Sequence, residues 1–293
     1  MKKLSVFNYW EYPFILNMVR GHLKGKCLDV GCYLGGVMAL AKSKKVMGLD
    51  KNIAFLQGNT PRKNVVCAIA ESIPVKNEVF DTVFCGFVLS YVQDKASAVR
   101  EMFRVLKKGG RAMVVLHHPN GSIGKVNREF VEGYNENFEF LRELKSTGDL
   151  SRAEENPFIS ECYSLYKRKS RKEPSVGDFL EKLSAQRASS SFFVQNKFRS
   201  ISEIINLFTK NGFSINSYFD VAIPLECGHI YESALLSRPV KRMLLVFILE
   251  KNPQAMRLNK RVFFEKSLSG NKYRIEAHTQ KAKSERNVLK ARK

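Results

Sequence analysis

Residues 27–36 read Cys-Leu-Asp-Val-Gly-Cys-Tyr-Leu-Gly-Gly, and Asp50 closes the next apolar run, Val46-Met-Gly-Leu-Asp, nineteen residues after Gly31. A short apolar strand, a glycine turn, a helix-length segment and a second strand ending in a carboxylate make a β-α-β unit. Its two strands must lie parallel, because the connection is a crossover rather than a hairpin. Such a unit suits a nucleoside. The turn lets the backbone approach the ligand, and the carboxylate can accept from two neighbouring ribose hydroxyls. The glycines stand as Gly31-x-x-x-Gly35-Gly36, which is not the G-x-G-x-x-G spacing that seats a pyrophosphate on a helix N-terminus.

Alternation of strands and helices continues from there. Hydrophobic pattern and turn residues predict strands over 26–30, 45–50, 64–68, 79–85 and 111–116, with helices over 35–43, 52–57 and 95–106. The pattern resumes with a helix at 200–211, ended by Asn211-Gly212, and strands at 213–222 and 241–250. Continuous apolar strands separated by helices imply an α/β fold with a mostly parallel sheet covered by helices on both faces. A further helix is expected over 4–23, where Phe7, Trp10, Phe14, Ile15 and Met18 recur at helical spacing.

Three stretches carry a family resemblance. Residues 29–36 are similar to the D-x-G-x-G-x-G motif, with Tyr33 where the middle glycine usually stands. Residues 70–83, Ala-Glu-Ser-Ile-Pro-Val-Lys-Asn-Glu-Val-Phe-Asp-Thr-Val, resemble A-E-x-L-P-F-x-x-x-x-F-D-x-V. Within residues 98–115, Glu-Met-Phe-Arg-Val-Leu-Lys-Lys-Gly-Gly resembles E-x-x-R-V-L-K-P-G-G, with Lys108 replacing the proline. In this order they resemble class I S-adenosylmethionine-dependent methyltransferases, closest to the type 11 family of ubiquinone- and menaquinone-type, small-molecule enzymes. The resemblance implies a Rossmann-like sheet of seven strands closed by an antiparallel hairpin, and S-adenosyl-L-methionine as cofactor. It implies that Asp50, with Lys51 beside it, takes the ribose, and that Asp29, Gly31, Cys32, Tyr33 and Gly35 face the methionine part. Ala70 and Glu71 fall at the adenine, and Cys85 beside the sulfur. Ile69 stands where family members often carry an acid for the adenine amino group, so that contact falls to the backbone at Ala70 or to Glu71.

The domain organisation follows from the same reading. Residues 1–119 and 198–253 form the two parts of the core. Between them, residues 120–197 form a charge-balanced, helix-prone insertion rich in aromatics, including Phe130, Tyr134, Phe158, Tyr163 and Tyr166. An insertion after the fifth strand is expected to serve as a helical, substrate-facing lid. Residues 254–293 hold 12 basic and 3 acidic side chains, nine of the chain's net +21, and are expected to be a disordered or partner-dependent basic tail. No apolar run reaches membrane-spanning length and no signal peptide is read. Six cysteines without a C-x-x-C pair argue for a reducing cytoplasm and against structural zinc; no metal is expected.

Methyl transfer from a sulfonium needs alignment and exclusion of water, and a base only where the acceptor must lose a proton. His117 and His118 end the fifth strand, where the crevice of an open α/β sheet lies, and Tyr91 is a weaker candidate. Two acceptor classes stay open: a small or lipid-like molecule, and RNA, for which the basic tail would supply affinity along with any contact to an acidic membrane surface. A cofactor-binding protein without transferase activity is the third reading. The sequence leaves the oligomeric state open.

Overall fold

The computed structural model describes residues 19, 21–33, 45–57, 64–121, 123–169, 175–223, 242–251, 259–268 and 271–280. Gly35, most of the expected helix at 4–23 and the expected helix at 35–43 lie outside the described residues. The chain divides into two compact units: residues 1–118, 198–222 and 243–293, and residues 119–197 with 223–242. The second unit takes 223–242 as well as the insertion, which differs from assigning 198–253 wholly to the core.

The first unit is built on β1 (Cys27–Val30), β2 (Val46–Asp50), β3 (Val65–Cys67), β4 (Phe80–Gly86), β5 (Leu106–His117), β6 (Ser214–Ile223), β7 (Arg242–Glu250), β8 (Asn259–Leu268) and β9 (Asn271–Gln280). Among the described residues these form one sheet in the order β3-β2-β1-β4-β5-β7-β6-β9-β8. The first five strands are parallel, and β7 runs antiparallel to β5 from Arg111↔Glu250 to His117↔Leu244. All seven expected strands are present. The tail does not match its expectation: β8 and β9 pair antiparallel with each other, and β9 with β6, so the sheet has nine strands. The physical reason is in the sequence. Val262-Phe-Phe and Tyr273-Arg-Ile are β-prone runs on either side of Ser269-Gly270, a hairpin signal that the lysine count obscured.

The helices of this unit are α1 (Ile53–Gln57), α2 (Lys95–Val105) and, later in the chain, α7 (Ile201–Lys210). Asp94 caps α2 by accepting from the Ser97 amide, and Ser200 caps α7 by accepting from Glu203. Leu28, Phe80, Val83, Met102, Val114, Phe208, Leu245 and Phe247 join strands and helices in a single fully buried core. The β5 strand starts at Leu106, five residues before the expected position, because Leu106 already pairs with Phe80; the register then shifts before Arg111 pairs with Thr82, and Gly109 in between sits at φ 72°.

Arg104 fixes the connection between β3 and β4 onto α2. Its guanidinium donates to the Ile73 and Val75 carbonyls at 2.8 and 2.7 Å and to both Glu101 oxygens at 2.6 and 2.8 Å. Glu101 in turn accepts from the Ile73 amide at 2.7 Å. Removing the guanidinium strands two carbonyls and a half-buried carboxylate, so Arg104→Met is expected to destabilise the chain by about 2–4 kcal/mol, read from the midpoint of urea unfolding. A change below about 0.5 kcal/mol would show the network to be dispensable.

The second unit is helical: α3 (Ile123–Glu136), α4 (Phe138–Thr147), a 3-10 turn (Leu150–Glu155), α5 (Pro157–Lys169) and α6 (Val176–Asn196). Its own core holds Phe130, Leu141, Leu144, Ile159, Cys162, Phe179 and Leu183. The aromatics expected to face a substrate pack inward. Tyr163 and Tyr166 lie 5.4 and 5.8 Å from the Phe179 ring, and Phe158 lies 5.8 Å from Phe130. Gly133 makes room for Phe158, since a Cβ there would stand 2.6 Å from its ring. Tyr163→Ala is therefore expected to cost stability, about 2–4 kcal/mol by the same unfolding measurement. A near-zero cost would return this ring to substrate contact.

Candidate active site

Parallel strands bring their carboxyl ends to one edge, and the residues singled out in the sequence collect there. Gly31, Cys32 and Tyr33 follow β1, Asp50 and Lys51 end β2, and Ala70 and Glu71 follow β3. Cys85 lies in β4, and His117 and His118 end β5. Tyr91 lies in the turn after β4, its amide donating to the Val88 carbonyl at 2.7 Å.

The β1 turn is tied to β2 through its backbone. The amides of Gly31 and Cys32 both donate to the Leu49 carbonyl, at 2.7 and 2.9 Å. Gly31 sits at φ 71° and touches Val88, whose methyl occupies the space that a Cβ would need. Only glycine meets both demands, and Gly31→Ala is expected to destabilise the chain by about 2 kcal/mol or more in urea unfolding. Unchanged stability would mean that Val88 swings away freely. Tyr33 takes the strained alternative open to a side chain at a glycine position, φ 49°, and Phe87 beside β4 sits at φ 63°. Of the three non-glycine residues at positive φ among the described residues, two therefore lie in this site, where strain is commonly stored. The Tyr33 ring meets the edge of Phe55 in α1 at 4.3 Å.

Asp50 is buried, 8% exposed, and is held by two backbone amides: Tyr33 donates to Oδ2 at 3.0 Å and Asn52 to Oδ1 at 2.9 Å. Each oxygen keeps a second lone pair for a ligand hydroxyl. Asp29 is 2% exposed, and its Oδ2 has no hydrogen-bond partner among the described residues. Burial, with the Asp50 charge adding to it, holds its carboxyl well above the usual carboxylate range. A buried carboxylate oxygen without a donor, beside a glycine with no room for a Cβ, is the chemistry that a cationic, polar ligand would satisfy. These residues fit the cofactor that the resemblance implies.

The remaining candidate residues divide. Ala70 is buried while Ile69 is 49% exposed, and Glu71 already accepts from the Gln93 amide at 3.1 Å. The Cys85 thiol is pushed up to about 12 by burial and the Asp29 charge, so it cannot serve as a thiolate nucleophile near neutral pH. His117 packs its ring 4.7 Å from Phe87. His118 places Nε2 3.5 Å from Asp220 Oδ1 in β6, and burial lowers its pKa more than Asp220 raises it. Asp220 was not picked out in the sequence. Its signal was there: a lone acid within the apolar run Tyr218-Phe-Asp-Val-Ala-Ile. No group of three or more potential metal ligands occurs among the described residues, and no described helix is long and apolar enough to cross a membrane.

Comparison with known proteins identifies residues 28–114 with a methyltransferase domain model of the type 11 family. The chain is 46% identical over 130 residues to the ubiquinone/menaquinone biosynthesis C-methyltransferase of Xylella fastidiosa, covering 39% of this chain and 51% of the relative. It is 28% identical over 116 residues to a sterol 4-C-methyltransferase of Caenorhabditis elegans, covering 35% and 34%. Among solved structures it is similar to a SAM-dependent methyltransferase from Thermotoga maritima, with TM-score 0.46 and 20% identity over 81% of this chain and 87% of that one. The chain spans about half or less of the length of these curated relatives. Over residues 28–114, the chain is therefore similar to the methyltransferase domain of the type 11 family.

Proposed function

We propose that this protein transfers a methyl group from S-adenosyl-L-methionine to a small or lipid-like acceptor. The observation that carries the reading is the edge formed by Gly31, the unpartnered Asp29 oxygen and the amide-held Asp50. When bound, the cofactor would supply an electrophilic methyl whose bond to sulfur breaks, with the electron pair left on sulfur, as the acceptor bonds to the methyl carbon. The chain's own work is to bind and orient. Asp50, flanked by Lys51, takes the ribose hydroxyls. The backbone from Gly31 through Cys32 and Tyr33 to Gly35 meets the methionine part, with Asp29 toward its ammonium. The Ala70 backbone meets the adenine, because Glu71 is engaged by Gln93. Cys85 lines the wall near the sulfur as an apolar side chain. His117, His118 and Tyr91 stand at the acceptor end.

The relatives' names support a lipid-like acceptor methylated at carbon, and the free cysteines among the described residues suit a reducing cytoplasm. The test is incubation of a lipid extract and total RNA, separately, with methyl-labelled cofactor. Label in lipid is the expected result. Label only in RNA would replace the acceptor class and give the +9 of residues 254–293 a nucleic-acid role. Label in neither would favour a protein acceptor or a binder without transferase activity.

A further inference from the structure

Asp220 and His118 are 102 positions apart, and the fold brings them to 3.5 Å at the carboxyl edge of the sheet. The imidazole side chain is 7% exposed and the carboxylate 19%. Both backbones are firmly placed. His118 follows the last residue of β5 and precedes Pro119, whose ring confines it to extended geometry. Asp220 lies within β6, two residues from Tyr218, so alternation sets both on one face of the strand. The Tyr218 ring stacks on Phe247 of β7 at 5.2 Å, which anchors that face on the core. A carboxylate in such a strand costs desolvation unless a partner compensates it, and the partner here is an imidazole at the reacting edge. Of the titratable residues near the pair among those described, His117 is next in the chain, and position 276, a glutamate, stands opposite Asp220 in the β6–β9 register.

We infer that His118 is the base that takes the acceptor's proton, and that Asp220 is its positioning residue. This rests on the transferase reading. With Nε2–H turned to Asp220, the carboxylate fixes the ring's tautomer and orientation and stabilises the imidazolium once formed. The acceptor gives its proton to the other ring nitrogen as its electron pair forms the new bond to the methyl carbon. His118 then returns the proton to water. His117 packs its ring on Phe87 and serves as wall.

The test uses the full chain, Asp220→Asn, Asp220→Glu and His118→Gln. Calorimetry with S-adenosylhomocysteine is expected to give affinities within about twofold across all four, because neither residue belongs to the cofactor edge. NMR titration of the histidine ring protons, assigned by the signal lost in His118→Gln, reads the pair directly. Asp220→Asn is expected to lower the His118 pKa by about one pH unit and Asp220→Glu to restore most of it. Label transfer into the lipid extract should fall about a hundredfold in His118→Gln, and in Asp220→Asn its acid limb should move down with the NMR titration. An unmoved His118 titration, or His118→Gln retaining more than a third of the transfer rate, overturns the dyad while cofactor binding stands. Wild-type protein that binds no S-adenosylhomocysteine overturns the transferase reading itself, and the catalytic role of the pair with it.

Discussion

Asp50→Ala is expected to lower affinity for both S-adenosylmethionine and S-adenosylhomocysteine by roughly 30- to 1,000-fold. A carboxylate accepting from two ribose hydroxyls makes charge-assisted hydrogen bonds together worth about 2–4 kcal/mol. The loss should lie toward the upper end of that range, because the same oxygens order the site. Tyr33 and Asn52 donate their amides to them, so removing the carboxylate also releases the turn after β1 from the end of β2. Asp50→Asn separates the two effects. Its one remaining carbonyl oxygen can keep one backbone partner, and its affinity should fall between wild type and alanine. Calorimetry on the three proteins measures this, and equal affinity in wild type and Asp50→Ala would place the nucleoside elsewhere.

Asp29→Asn is expected to make the ligand-free protein more stable at neutral pH while weakening cofactor binding. A buried carboxyl whose pKa is raised in the folded state works against folding once it must ionise. The sign follows from proton counting. Below the usual carboxylate pKa of about 4, Asp29 is protonated in both folded and unfolded chains, and wild type and variant should be alike. As pH climbs from there toward the raised folded value, the folded chain holds the extra proton, so wild-type stability falls relative to the variant. Above the folded pKa the gap is constant, on the order of 1–3 kcal/mol for an uncompensated buried group. Urea unfolding at several pH values, with and without S-adenosylhomocysteine, reads both halves. A variant less stable than wild type at pH 8 would show that Asp29 has a donor that compensates it.

Much of this site was legible because its signals are local. Gly31 and Asp50 belong to one β-α-β unit, and the strand, turn and carboxylate that define it lie within 24 residues, from Cys27 to Asp50. Tyr33 was legible as a departure, but only the backbone could show that it accepts positive φ rather than avoiding it. The His118–Asp220 pair was not legible, since it depends on which strand lies beyond β7 in the sheet. The role of the aromatics of 120–197 was not legible, because richness in rings marks a substrate-facing lid and a small helical core alike, and only packing distinguishes the two. In 254–293 charge masked alternation: strand-forming residues interleaved with lysine and arginine suit an outer pair of strands as well as a solvated tail.

Calorimetric titration of the wild-type chain with S-adenosylhomocysteine, with NADH as control, tests the central claim most directly. The edge formed by Gly31, Asp29 and Asp50 should give one site per chain with a dissociation constant of about 1–100 µM and no heat from NADH, whose pyrophosphate finds no matching glycine spacing. Folded protein that gives no binding heat with S-adenosylhomocysteine, or that binds NADH instead, would be incompatible with a methyltransferase site at this edge.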